Sequence, residues 1–116
     1  TQEASSHTNF KEEVVKADQG ATILTLKEIT PVRMIKNAFY QKINALYESG
    51  ASVEQLREAL GRGRAKKGMF EGDLVEGELE IGQVAAQIES IIPAAAVVEE
   101  FVETYNLTLD SLSKIN

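Results

Sequence analysis

Apolar positions recur at helical spacing over most of the chain. Phe10, Val14 and Ala17 stand three to four residues apart within 7–17, with Ser5, Ser6 or Thr8 available as a cap, which predicts a short amphipathic helix. Residues 18–20 stop it. The next stretch, 21–26 (ATILTL), alternates and is β-branched, the signature of a strand. It is the only strand predicted, so it must pair with another chain or with the missing part of a parent, or be absorbed into coil. Thr30 before Pro31 predicts a helix start, because proline at the first helical position gives up an amide that has no partner there. Val32, Ile35, Phe39, Ile43 and Leu46 then form one stripe ending at Gly50.

Ser52 with Gln55 makes a capping box for a shorter helix carrying Val53, Leu56 and Leu60, which Gly61 terminates. Between 61 and 77 lie five glycines, too much backbone freedom for one regular helix. An ordered loop or broken helix, anchored by Met69, Phe70 and Leu74, is expected. From about Glu78, the spacing of Ile81, Ala85, Ile88 and Ile91 predicts a helix closed by Pro93, a residue that can also open the next one. Val97, Phe101 and Tyr105 mark the buried face of a last helix, and 106–116 reads as a frayed tail. The pattern is that of a mainly α chain with one short strand. It forms a single region, with a loop, a helix and the strand in 1–30 and a helical portion in 31–116.

A chain of 116 residues supports one ordinary domain. It is too short for a complete eight-stranded α/β barrel, which takes about 250 residues. With 43% hydrophobic and 26% charged residues it is globular in composition. A formal charge of -6 repels polyanions, which argues against nucleic acid and anionic membrane surfaces as partners. The absence of cysteine excludes disulfides and thiolate metal sites and suits a reducing cytoplasm. No apolar run reaches the roughly 20 residues needed to cross a bilayer, and the expected location is cytoplasmic.

Glu3 and His7 are an acid and a histidine close together at a serine-rich helix entry, where imidazole can serve as acid, base or donor. The plainer role for His7 is decoration of a first helical turn. As the only histidine, it cannot build a histidine-rich metal site. Glu71, Asp73, Glu76, Glu78 and Glu80 lack the ligand spacing of an EF-hand and read as a solvated acidic segment. Arg62, Arg64, Lys66 and Lys67 lie in GRGRAKKG, which lacks the residue order of a phosphate-binding P-loop and any interleaved aromatic. Compensation by the acidic run that follows is the better account. Gly82 with Gln83 interrupts the predicted apolar helix, and glycine there costs about 1 kcal/mol relative to alanine. Its presence points to close approach of another helix, a backbone or a ligand.

Read in order, three blocks resemble the C-terminal region of the 2-nitropropane dioxygenase family, the nitronate monooxygenases and FMN-dependent enoyl-acyl-carrier-protein reductases. TQEASSHTNFK resembles the segment after that family's eighth barrel strand. PVRMIKN is similar to its arginine and asparagine helix, and GDLVEGELEIGQVAAQI to its glycine-aspartate to glycine-glutamine signature. The resemblance implies the C-terminal fragment of an FMN-binding (β/α)8 barrel protein, with the flavin at the C-terminal ends of the strands. Glu3 and His7 would then lie in a loop at that face, and Gly82 with Gln83 would approach the cofactor pocket. The family's catalytic histidine and phosphate-binding turns belong to upstream sequence, so no catalytic role passes to His7. The intact parent would be an oxidoreductase acting on a small-molecule substrate, and the fragment alone would be inactive and would not hold FMN tightly. Cut from the barrel, it is expected to self-associate through its orphan strand and apolar faces. A free-standing helical interaction module is the competing reading.

Overall fold

A computed structural model describes residues 1–115. Two compact units emerge: one joins Thr1–Ala4 to the chain from Ser90 onward, and the other is Ser5–Glu89.

In Ser5–Glu89 the first helix, α1 (Thr8–Lys16), falls where the periodicity places it and buries Phe10. The strand β1 (Thr22–Thr25) also forms as expected. It is not an orphan. A second strand, β2 (Val32–Ile35), pairs with it in antiparallel register, Thr22 opposite Ile35 and Thr25 opposite Val32. The helix predicted from Pro31 is therefore a strand for its first turn. Val32 and Ile35 suit a helical stripe or a strand equally, and proline is tolerated at a strand's first residues. Pairing decides, because β1 supplies hydrogen bonds along one edge of β2. Along the other edge the Ile35 amide donates to Leu79 O and the Ile81 amide to Arg33 O.

Alternation along β2 then sorts the core. Met34, fully buried, packs with Leu26, Phe39 and Ile43, while Ile35 packs on the opposite side with Phe10 and Leu79. The helix proper, α2 (Ala38–Glu48), begins where the Asn37 side chain accepts from the Tyr40 amide. Gly50, at φ +74°, follows its end in the left-handed conformation foreseen for it. The next helix, α3 (Val53–Leu60), carries both halves of the Ser52–Gln55 capping box and stops at Gly61.

The glycine-rich segment is ordered around a single π-helical turn, Lys66–Phe70. Met69 and Leu74 pack against Phe10, Ile35 and Leu79, but Phe70 is half exposed and anchors nothing comparable. The helix expected from Glu78 does not form. Residues 79–81 run beside β2 instead, with Met34 and Glu80 bridged, and only a 3-10 turn, Gln83–Gln87, follows. Bonding to β2 and burial of Leu79 outweigh the helical spacing of Ile81, Ala85, Ile88 and Ile91, since the two conformations are exclusive.

In the other unit, Pro93 opens α4 (Ala94–Ser113), a 20-residue helix that absorbs most of the predicted frayed tail. Asn116 lies outside the described residues. No residue of α4 is buried, so Val97, Phe101 and Tyr105 do not mark a covered face. Mainly α is the right class, with two strands rather than one among the described residues. No helix among the described residues is long and apolar enough to cross a membrane.

Candidate functional site

His7 is the N-cap of α1. Its Nδ1 accepts from the Asn9 amide at 3.0 Å, and its own amide donates to Met69 O at 2.7 Å. In the neutral ring an accepting Nδ1 leaves the proton on Nε2, so the imidazole keeps a donor at its far side. Asn9 Nδ2 donates to Gly72 O at 3.0 Å and ties the turn down. Gly72 is required twice: it has φ +82°, and a Cβ would run into the imidazole, with Nδ1 in its path and Cε1 at 2.7 Å. Gly72→Ala is expected to push His7 off α1 and cost about 2–3 kcal/mol, as a strained backbone combined with a lost cap. The His7 ring shifts in an NMR spectrum and the urea midpoint report it. An unmoved ring would contradict this geometry.

Glu3 belongs to the other unit and does comparable work there. Its Oε2 accepts from the Ala94 amide at 2.8 Å, so a carboxylate caps α4, whose own cap residue, Pro93, has no side-chain acceptor. Negative charge at a helix N-terminus is favourable. The Gln2 amide donates to Ile92 O beside it.

Gly82 and Gln83 do not interrupt a helix. Gly82 caps the 3-10 turn with φ −77°, and a Cβ built on it would meet nothing within 4 Å. No neighbour in this unit explains the glycine. Gln83 lines an open cavity of about 520 Å³ with Gln87, Asp18, Gly20 and Thr22. Asp18 lies beyond the C-terminus of α1, whereas His7 caps its N-terminus, and nine helical residues span about 14 Å. His7 and Gln83 therefore stand at opposite ends of α1 rather than in one hydrogen-bonded group.

Three residues carry more than their sequence context suggests. Asn37 caps α2 through its oxygen while its Nδ2 donates to Leu74 O and Gly77 O, both at 2.8 Å. Arg64 is a structural clamp: its guanidinium donates to Leu60 O, Ala59 O and Glu76 O, and lies 4.7 Å from the centre of the Phe39 ring. Of the charge compensation expected in that segment, two further pairs form, Lys66 with Glu71 and Lys67 with Asp73. The amides of Glu76 and Val75, with Lys67, hold the Asp73 carboxyl below its usual range. Glu76 is likewise lowered, chiefly by Lys42.

Glu78 departs from the solvated reading of the acidic run. It is only 5% exposed, and burial, together with its hydrogen bond to Glu80, pushes its carboxyl up to about 8 against the pull of Arg64. Alternation explains the burial, because a strand that turns Leu79 toward Ile35 turns residues 78 and 80 to the Met34 side. The signal in the sequence was the alternating run 76–80, which reads equally as surface charge.

No protein-family model matches the chain, and no curated protein matches it. Among solved structures, FabK from Thermotoga maritima is similar at 28% identity with a TM-score of 0.81, over 93% of this chain and 34% of that one. The M276A mutant of the same protein gives 25% identity and a TM-score of 0.74, over 95% of this chain and 32% of the other. This chain thus spans about a third of the length of the proteins it matches, and its fold is that of a fragment of the FabK barrel protein.

Proposed function

We propose that the chain is the C-terminal part of an FMN-dependent oxidoreductase of the 2-nitropropane dioxygenase family, of nitronate monooxygenase or enoyl-acyl-carrier-protein reductase type. The observation that carries this reading is the match to FabK over 93% of the chain at 28% identity. The order of the three blocks that resemble the family supports it. The parent acts in the cytoplasm on a small-molecule substrate, with neither nucleic acid nor membrane as partner, and the remainder of the barrel is this segment's own partner.

FMN supplies electron and hydride transfer when bound. The residues present fit one part of that molecule. Gln83, with a donor and an acceptor beside an open cavity and next to a glycine that nothing in its unit requires, suits the edge of a flat heterocycle. Arg64, Lys66 and Lys67 are engaged by carbonyls and carboxylates, and in this reading the phosphate is held by the remainder of the barrel. The isolated 116 residues accordingly hold FMN weakly and do not turn over.

Flavin fluorescence tests this. Titrating FMN into the 116-residue chain is expected to give no stoichiometric quenching, whereas the intact gene product should purify with the visible absorbance of bound flavin. Tight stoichiometric binding by the short chain overturns the division of labour. An intact product that is colourless and cannot be reconstituted with FMN overturns the oxidoreductase reading. A second reading, a helical module that binds a protein partner, draws on the uncovered face of α4. An intact product that lacks flavin and barrel elements would favour it.

A further inference from the structure

We propose that two copies of this chain pair through the outer edge of β1, Thr22 of one opposite Leu24 of the other, so that their sheets join into one. Among the described residues β1 has a strand partner on one side only. The Lys36 amide donates to Ala21 O, and bonded and open pairs alternate along an antiparallel ladder, so Ile23 and Thr25 turn their main chain toward β2. Thr22 and Leu24 turn theirs away. The same phase holds on β2, where Ile35 and Arg33, the residues opposite Thr22 and Leu24, bond to Leu79 and Ile81 on the far side. The outward amides and carbonyls of Thr22 and Leu24 therefore meet no backbone partner among the described residues.

Nothing local protects this edge. Free sheet edges are commonly blunted by charge, by proline or by a bulge. The stretch 21–26 has no charged residue and no proline, the register of β1 is unbroken, and Leu24 is 40% exposed. In one respect the choice of occupant rests on the flavoenzyme reading above: a (β/α)8 barrel closes on itself and has no strand edge to offer. A second copy has one. About a two-fold axis through Ile23, Thr22 of each copy faces Leu24 of the other, and the bonds exchanged in these two pairs satisfy every outward group of both residues. Ile23 faces its own symmetry mate across the open pair between them, a favourable match of β-branched side chains. The same axis brings the turn 18–21 of one copy beside the turn 26–29 of the other. Asp18 and Lys27, which form no salt bridge among the described residues, then meet as opposite charges, while Glu28 is already engaged by the Tyr47 hydroxyl.

Cross-linking and charge reversal test the pairing in the intact gene product. Facing Cα atoms of an open antiparallel pair lie about 4.5 Å apart, within disulfide reach, whereas Leu24 stands beyond the roughly 7 Å limit from Leu24 of the second copy. Ile23→Cys is expected to form an intermolecular disulfide under air oxidation, and Leu24→Cys roughly tenfold less of one, the linked peptides being identified by mass spectrometry. Lys27→Glu should weaken the dimer roughly tenfold in sedimentation equilibrium, and Asp18→Lys added to it should restore most of the loss. Linkage at Ile23→Cys no greater than at Leu24→Cys overturns the proposal. So does a dimer indifferent to the charge variants, or an intact protein that is monomeric throughout the micromolar range. A dimer linked at Ile23→Cys in a product devoid of flavin leaves the pairing in place while the FMN reading fails.

Discussion

Replacing Gly77 by alanine is expected to remove about 3–5 kcal/mol of stability, enough to leave a domain of ordinary stability largely unfolded. The reason is steric. A Cβ at Gly77 would overlap the Cα and amide nitrogen of Gly68 and the carbonyl of Asp73, all backbone atoms that cannot rotate aside. A Cβ at Gly68 would in turn fall 2.7 Å from Glu78 O and 2.8 Å from Leu79 Cδ2. The two glycines let the π-helical turn lie directly on the segment that bonds to β2. Forcing them apart would pull Leu79 from its place with Phe10 and Ile35. Gly82→Ala is the control, and its urea midpoint should stay within about 0.5 kcal/mol of the parent's, because its Cβ enters open space at an ordinary φ. Equal midpoints for the two variants would mean that the crossing of Gly68 and Gly77 is not as close as described.

Glu78→Gln is expected to stabilise the protein at neutral and mildly alkaline pH by about 2–4 kcal/mol. The folded state holds the Glu78 proton up to about 8, whereas the ordinary carboxyl value is 4.5. Below 4.5 both states are protonated and the stability is fully present. As pH rises toward 8 the unfolded chain releases a proton that the folded one keeps, and stability falls; above 8 the loss is complete. Glutamine retains a donor toward Glu80 and has no proton to lose, so the variant's stability should be level across this window. Asp73 and Glu76, whose carboxyls are lowered, act on the other side, since what they contribute is lost as pH falls below the usual carboxylate range. Urea midpoints of parent and variant across the window decide the matter. A parent whose stability does not decline between 4.5 and 8 would show that Glu78 is not held protonated by the fold.

Neither result was visible in the sequence, and the reason is the same for both. Five glycines between 61 and 77 announce a backbone that is not regular, but only the folded chain selects Gly68 and Gly77 as the pair in contact. Five acidic residues between 71 and 80 announce surface charge, and only a neighbouring strand turns one of them inward. The candidate site shows the same division. His7 was recognisable as a helix-entry residue, and it is one, held by Asn9, Met69 and Gly72. Gly82 was recognisable as a glycine that local structure does not explain. It remains so, though for another reason: no helix surrounds it and no neighbour in its unit crowds it. Arg64 and Asn37 escaped notice because a clamp is defined by carbonyl groups that are distant along the chain, such as Gly77 O for Asn37 and Glu76 O for Arg64.

By itself the sequence determined the elements whose determinants are local: α1, the strand at 22–25, the capping box and glycine stop of α3, and the opening of α4 at Pro93. Each rests on groups within a few residues, so spacing and capping chemistry suffice. Tertiary structure decided whatever had two near-equal local solutions. Val32 and Ile35 became strand because β1 and the segment 79–81 offered hydrogen bonds on both edges. The stretch after Glu78 gave up its helix for the same bonds, and α4 kept its apolar stripe uncovered because nothing in its own unit has the face to meet it.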